Sequence, residues 1–245
     1  MRIAPFLIIL LFAHAAVAAD WNAAVLEAVQ SMPKGGGFSA TSEASARLRD
    51  AAQADGAELR VRPALAPPSY CSAATYLVLL KVLERAQASG ALQLDGKVLA
   101  PSMQRDGEGV WGRWNANGPG TARLFYELGV GKNFTDWNEA KPGDFLKIFW
   151  RDAVGSNEFG HLVVYLGTES RDGVEYVRFW SSNKPEGFSE KSVPKSKIAR
   201  ALFSRLEHPD RLASASSLPK VDTYLASLLE RKSSFAEACK LSGVR

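Results

Sequence analysis

Cysteine and histidine are scarce in this chain. Its 245 residues include two cysteines and three histidines. No His pair or Cys/His cluster has ligand spacing, so no metal site and no cofactor is expected. There is no dense Lys/Arg block with interleaved aromatics, which argues against nucleic acid as a partner. No internal repeat and no low-complexity tract is present, which excludes solenoid architectures. Only one long apolar run occurs, at the N-terminus, and no other segment has the length to cross a bilayer.

What is present is ordinary globular composition, with 46% hydrophobic and 23% charged residues, enough for a substantial core. The opening MRIAPFLIILLFAHAAVAAD combines one Arg, an apolar run and a small-residue end. That is the pattern of a secretory signal peptide cleaved near Ala18 or Ala19, with an uncleaved anchor as the alternative. The expected organisation is therefore a signal over 1–19 and a single domain over 20–245, secreted or periplasmic. No stable membrane insertion is expected after cleavage, and the product is expected to be a monomer. Cleavage removes Arg2 and lowers the formal charge of +4 by one. The pI of 9.1 is too mildly basic to decide whether an anionic wall or membrane is met.

Two cysteines in an exported chain invite a Cys71–Cys239 disulfide. The stretch PPSYCSAATYLVLLKVLE (67–84) gives Cys71 another reading. The two prolines end any preceding regular structure, Ser69 is a candidate N-cap, and a strongly apolar helix follows to about Ala88. Cys71 thus falls in the first helical turn, where the partial positive charge of the helix terminus favours a thiolate.

The rest of the chain changes from helix to strand along its length. Residues 21–31 and 40–55 read as amphipathic helices divided by PKGGG (33–37). Residues 95–120 read as a long structured loop, and 120–131 as a short helix with a Gly stop. KPGDFLKIFW (141–150) reads as a turn feeding a strand, with Asp144 in the turn. GHLVVYLG (160–167) and VEYVRFWSS (174–182) read as strands of an antiparallel hairpin joined by TESRDG. IARALFSRL suggests a closing strand, and the segment from Leu218 to Leu241 a terminal helix containing Cys239. Helices followed by a β-meander predict an α+β domain.

With the signal removed, His161 and His208 are the remaining histidines. His208 precedes a proline in a loop, whereas His161 opens a Val/Tyr/Leu strand. A thiol needs a base to react at neutral pH, and imidazole has a suitable pKa. A third group usually orients the ring. Folding the hairpin with Gly167 opposite Val174 puts His161 opposite Trp180, and a one-residue slip brings Ser181 and Asn183 to its face. Asn183 has the better acceptor for an imidazole N–H, with Ser182 next; a plain turn is the alternative for Ser-Ser-Asn. WGRWNANGPG (111–120) is a candidate substrate wall, Trp111 and Trp114 offering flat apolar surfaces, Asn115 and Asn117 amide hydrogen bonds. The alternative is a loop stapled to the core by its tryptophans. Tyr70, Trp180 and Ser182 flank nucleophile and base and complete the expected substrate contacts.

YCSAATY, KPGDFLKIFW and GHLVVYLG, in that order, resemble the NlpC-type papain-like peptidases and CHAP amidases of bacteria, over about residues 68–183. The resemblance implies a papain-like fold with N-terminal helices packed on an antiparallel meander. It makes Cys71 the nucleophile, His161 the base and a polar residue near Trp180 to Asn183 the third member. It also implies cleavage of amide bonds in peptidoglycan peptides, and the signal peptide puts the chain where that substrate lies. Two positions depart from the pattern: Tyr70 stands where many members have Asp, and Ala73 where they have Gly. The loss of that acid puts the usual substrate amine contact in doubt. Acyl transfer by the same dyad, as in transglutaminase-like folds, and a non-catalytic binding module with the disulfide formed are the alternatives.

Overall fold

A computed structural model describes residues 20–244; the expected signal peptide lies outside the described residues. The chain opens with α1 (Trp21–Gln30), a two-residue strand β1 (Gly35–Gly36) and α2 (Ser42–Ala51). A hairpin follows, β2 (Ala52–Asp55) and β3 (Glu58–Val61), and then the long α3 (Cys71–Ala88). Next come α4 (Gly96–Leu99), α5 (Gly109–Asn115), α6 (Gly120–Leu128), β4 (Gly131–Phe134), β5 (Phe145–Phe149) and β6 (Val154–Gly155). The sheet region continues with β7 (Gly160–Arg171), β8 (Val174–Asn183), β9 (Gly187–Pro194) and β10 (Arg200–Leu206). The end of the chain holds α7 (Thr223–Ser227), β11 (Lys232–Ser233) and α8 (Phe235–Leu241).

The α+β expectation holds. Seven strands form one antiparallel sheet in the order β1-β9-β8-β7-β5-β10-β4. The middle of β7, Leu162 to Tyr165, is buried on both faces, which is why its sequence is a continuous apolar run rather than an alternation. Leu162 and Val164 pack with Trp180 and Phe188 into the core under α3, and Val163 and Tyr165 join Phe179 and Phe203 on the opposite face. Twelve residues of α3 are buried, so this helix is apolar almost all round, as expected of a central helix.

Several boundaries differ from expectation. The second helix stops at Ala51 because residues 52–55 pair with 58–61 as a hairpin. The predicted loop over 95–120 contains α4, capped by the Asp95 carboxylate accepting from the Lys97 N–H at 2.9 Å, and α5. The predicted terminal helix is broken into α7 and α8, each capped by its own acceptor, Asp222 or Ser234, with β11 between them paired to β6. PKGGG is more than a break: β1 adds to the sheet edge beside β9. Gly36 has φ +83°, and a Cβ there would lie 2.4 Å from the Pro67 Cβ, so only glycine permits this approach.

The β7–β8 hairpin also pairs differently. Its turn is Asp172-Gly173, both with positive φ (51° and 76°), so pairing extends to Arg171 opposite Val174. Asp-Gly is favoured in such two-residue turns. A bulge at Leu166 then shifts the register, since Gly167 faces Arg178 but Tyr165 faces Phe179. Among the described residues no helix is long and apolar enough to cross a membrane.

Candidate active site

Cys71 is the first residue of α3. The expected cap by Ser69 does not form. Tyr70 is the N-cap, makes no side-chain cap bond, and leaves the first-turn amides without a side-chain acceptor from it. Ser69 is instead buried, and its carbonyl accepts from the Ser182 hydroxyl at 2.7 Å and the Ser39 N–H at 2.9 Å. These two bonds tie the entry of α3 to β8 and to the segment after β1. On the other side, the Ser72 hydroxyl donates to Asn115 Oδ1 at 2.7 Å, and the Trp114 indole N–H donates to the Ser72 carbonyl at 3.1 Å. The start of the helix is therefore held from both flanks.

His161 lies near the start of β7, and its Nε2 is 2.9 Å from Asn183 Oδ1 at the end of β8. The Asn183 amide is oriented by its own NH2, which donates to the Ser189 carbonyl at 2.8 Å and the Ser189 hydroxyl at 3.2 Å. With Oδ1 thus facing the ring, Nε2 carries the proton, and Nδ1 is left to accept one. Phe179 meets the ring edge-on at 5.7 Å and Trp150 stacks over it at 6.4 Å between centroids. Orientation by Asn183 and clamping by two aromatics give the imidazole one working pose.

Cys71 and His161 line the same cavity. Burial by itself pushes the Cys71 thiol up. The hydrogen bond and charge of His161 oppose it, helped by the backbone N–H of Leu162 and the charge of Lys147, and hold the thiol at about 7 against a usual 9.0. Cys71 is therefore substantially ionised near neutrality, as a nucleophilic cysteine must be. Comparison with family models, curated proteins and solved structures gives no match.

Two cavities open from Cys71. One, of about 320 Å³, is polar and includes Ser72, Asp106, Asn115, Asn117, Lys147 and Glu158. The Glu158 carboxylate accepts from the Gly118 N–H at 2.6 Å and the Gly155 N–H at 3.0 Å and pairs with Lys147. Burial raises the Asp106 carboxyl, against the opposing effects of the Asn117 N–H, the Asn115 side chain and Lys147. The Thr121 hydroxyl, also in the lining, is buried and has no partner. The second cavity, of about 380 Å³, is flanked by His161, Asn183, Trp150, Phe159, Phe38 and Lys184. Phe159 is 58% exposed and borders both.

The structure thus brings Cys71, His161 and Asn183 together and puts Asn117 in the polar cavity. Other expected contacts require correction. Trp111 and Trp114 are 5% and 1% exposed and pack on Tyr76 with centroids 5.1 and 5.4 Å away. They build the core, and only Trp114 touches a cavity wall. Trp180 faces away from the His161 ring and stacks on Phe188 at 5.5 Å. Ser182 is fully buried and holds the Ser69 carbonyl, so it steers the α3 entry rather than the imidazole. Tyr70 lines neither cavity; its hydroxyl lies 3.1 Å from the Ser45 hydroxyl of α2. The Cys71–Cys239 disulfide does not form, both thiols being free. The aromatic wall comes instead from Trp150 and Phe159, missed in the sequence although they flank the His161 strand.

A reactivity difference follows. Iodoacetamide modification of Cys71 should rise with pH through about 7, because only the thiolate attacks. Burial raises the Cys239 thiol instead, so Cys239 should stay nearly unmodified at neutral pH. Mass spectrometry of peptides across a pH series checks both. Equal labelling at the two positions, or a Cys71 midpoint near 9, would contradict the activated thiol.

Proposed function

We propose that this chain is a papain-like cysteine amidase of NlpC type, acting outside the cytoplasm on amide bonds of peptidoglycan peptides. The observation that carries the reading is that Cys71 and His161 line one cavity, with the His161 ring in turn 2.9 Å from Asn183 Oδ1. His161 takes the Cys71 proton, and the sulfur attacks the amide carbonyl. The Cys71 N–H at the α3 terminus stabilises the resulting oxyanion. The intermediate collapses to a thioester as His161 hands its proton to the departing amine. Water, deprotonated by the same ring, attacks the thioester; the acid product leaves and the thiol is restored. The peptidoglycan assignment is supported by the sequence resemblance and the expected signal peptide.

The thioester is the decisive intermediate. Mixing the protein with soluble peptidoglycan fragments and quenching in acid should give chains heavier by one acyl fragment, with the added mass on the Cys71 peptide. The released products should carry one new amine and one new carboxyl. Turnover with no adduct in Cys71→Ala but full activity would overturn the mechanism. Products in which another amine replaces water would reassign the enzyme to acyl transfer.

A further inference from the structure

The cavity beside His161 differs in character from the one beside Asp106. Its walls are largely aromatic or aliphatic, including Phe38, Trp150, Phe159, Phe179 and Val193. Apart from the Cys71–His161 pair, its charged groups are two lysines, and no carboxylate is among the residues that line it. Lys191 is already neutralised, its ammonium 3.0 Å from the Glu186 carboxylate and also donating to the Lys184 carbonyl. Lys184 has no carboxylate partner among the described residues; its ammonium sits 5.0 Å from the Phe38 ring centroid. It directly follows Asn183, the residue that orients the imidazole. The cavity therefore combines an apolar body with one uncompensated positive charge at its rim, a pairing that suits an apolar group ending in an anion.

Which part of a substrate enters is fixed by proton transfer. His161 must deliver its proton to the leaving amine, so the amine side of the scissile bond lies in the cavity that His161 lines. We propose that the amine released by this enzyme belongs to an amino acid or short peptide with a free carboxylate, and that Lys184 selects it by pairing with that carboxylate. The acyl side then occupies the polar cavity at Asp106 and Asn117. This inference rests on the amidase reading for the direction of the substrate.

Binding and turnover test it separately. Cys71→Ala protein is titrated by calorimetry with alanyl-phenylalanine as the free acid and as its carboxamide. The free acid should bind at least fivefold more tightly, and the advantage should shrink as salt is raised. Adding Lys184→Met should remove the preference, and Lys184→Arg should retain it. In turnover, Lys184→Met should raise KM for fragments with a free carboxylate on the leaving residue and leave kcat unchanged. Equal binding of acid and carboxamide, or a preference that survives Lys184→Met, would overturn the proposal. An absence of turnover in the wild type would count against the amidase reading alone, because the binding comparison needs no chemistry.

Discussion

Cys71→Ala is expected to lower amide hydrolysis by about 10³-fold or more while leaving the circular dichroism and melting temperature nearly unchanged. Under the proposed mechanism Cys71 carries the reacting atom, and alanine preserves helix propensity at the start of α3. His161→Ala should cost about as much, because a thiol without its base is neither ionised nor able to protonate the leaving amine. The double variant should be no worse than either single one, since the two groups act as a unit. Asn183→Ala removes one neutral hydrogen bond to the ring, worth about 1 kcal/mol, so a loss of roughly fivefold in kcat is expected. Ser182→Ala touches no ring atom; its effect should appear in stability, through the freed Ser69 carbonyl, at about 1 kcal/mol. If Ser182→Ala instead lowered kcat as much as Asn183→Ala with stability intact, the orienting role would belong to Ser182. A Cys71→Ala protein that hydrolysed at the wild-type rate would remove the amidase reading altogether.

The dyad was legible because its two members sit at element starts, and element starts are marked by local chemistry. Pro67 and Pro68 announce the beginning of α3, and Gly160 that of β7. The third member depends on register, which is a nonlocal property. From the sequence, a hairpin with Gly167 opposite Val174 reaches Asn183 only after a one-residue slip. The true register follows from two features: the Asp172-Gly173 turn, readable as a hairpin signal, and the bulge at Leu166, which is not. Continuing the pairing of the outer hairpin without that bulge would put Lys184, not Asn183, opposite His161. One extra residue in β7 therefore decides which side chain meets the ring.

The misplaced tryptophans show a different limit. Gly, Asn and Asp between 106 and 118 suggested a loop, and a loop tryptophan looks available to substrate. Yet Trp111 and Trp114 are three apart on α5 and share one helical face, which they bury against Tyr76. The glycines serve close approach instead: a Cβ on Gly112 would lie 2.0 Å from the Arg105 carbonyl oxygen. Composition reported the tight packing as looseness. The wall that the cleft does have, Trp150 and Phe159, is assembled from the end of β5 and the residue before β7, two positions whose proximity only the sheet reveals.

Asp144→Ala is expected to cost about 3 to 5 kcal/mol of stability, a fall in melting temperature of roughly 10 °C or more for a domain of this size. The Pro-Gly-Asp stretch predicts a turn residue, and Asp144 closes that turn, its N–H donating to the Lys141 carbonyl at 3.0 Å, while its side chain is fully buried. Its carboxylate accepts from Arg205 Nε at 2.8 Å and Nη2 at 2.7 Å, from the Lys141 N–H at 2.7 Å and from the Asn22 side chain at 2.9 Å. One carboxylate thus fastens α1, the turn before β5 and the strand β10. Alanine leaves the Arg205 guanidinium, with a side chain only 12% exposed, without its counter-charge, and that orphaned charge is the main cost. Changing both partners to apolar residues, Asp144→Leu with Arg205→Met, should therefore recover much of the loss, since no unpaired ion remains. Asp144 pairs at the level of Tyr165 on β7, four residues and about 13 Å along the strand from His161. Folded Asp144→Ala protein assayed well below its melting temperature should accordingly keep a kcat close to wild type. Denaturant unfolding of the wild type and the two variants measures the stability part. A single variant as stable as wild type, or a double variant less stable than the single one, would show that the pair is not the clamp the geometry describes.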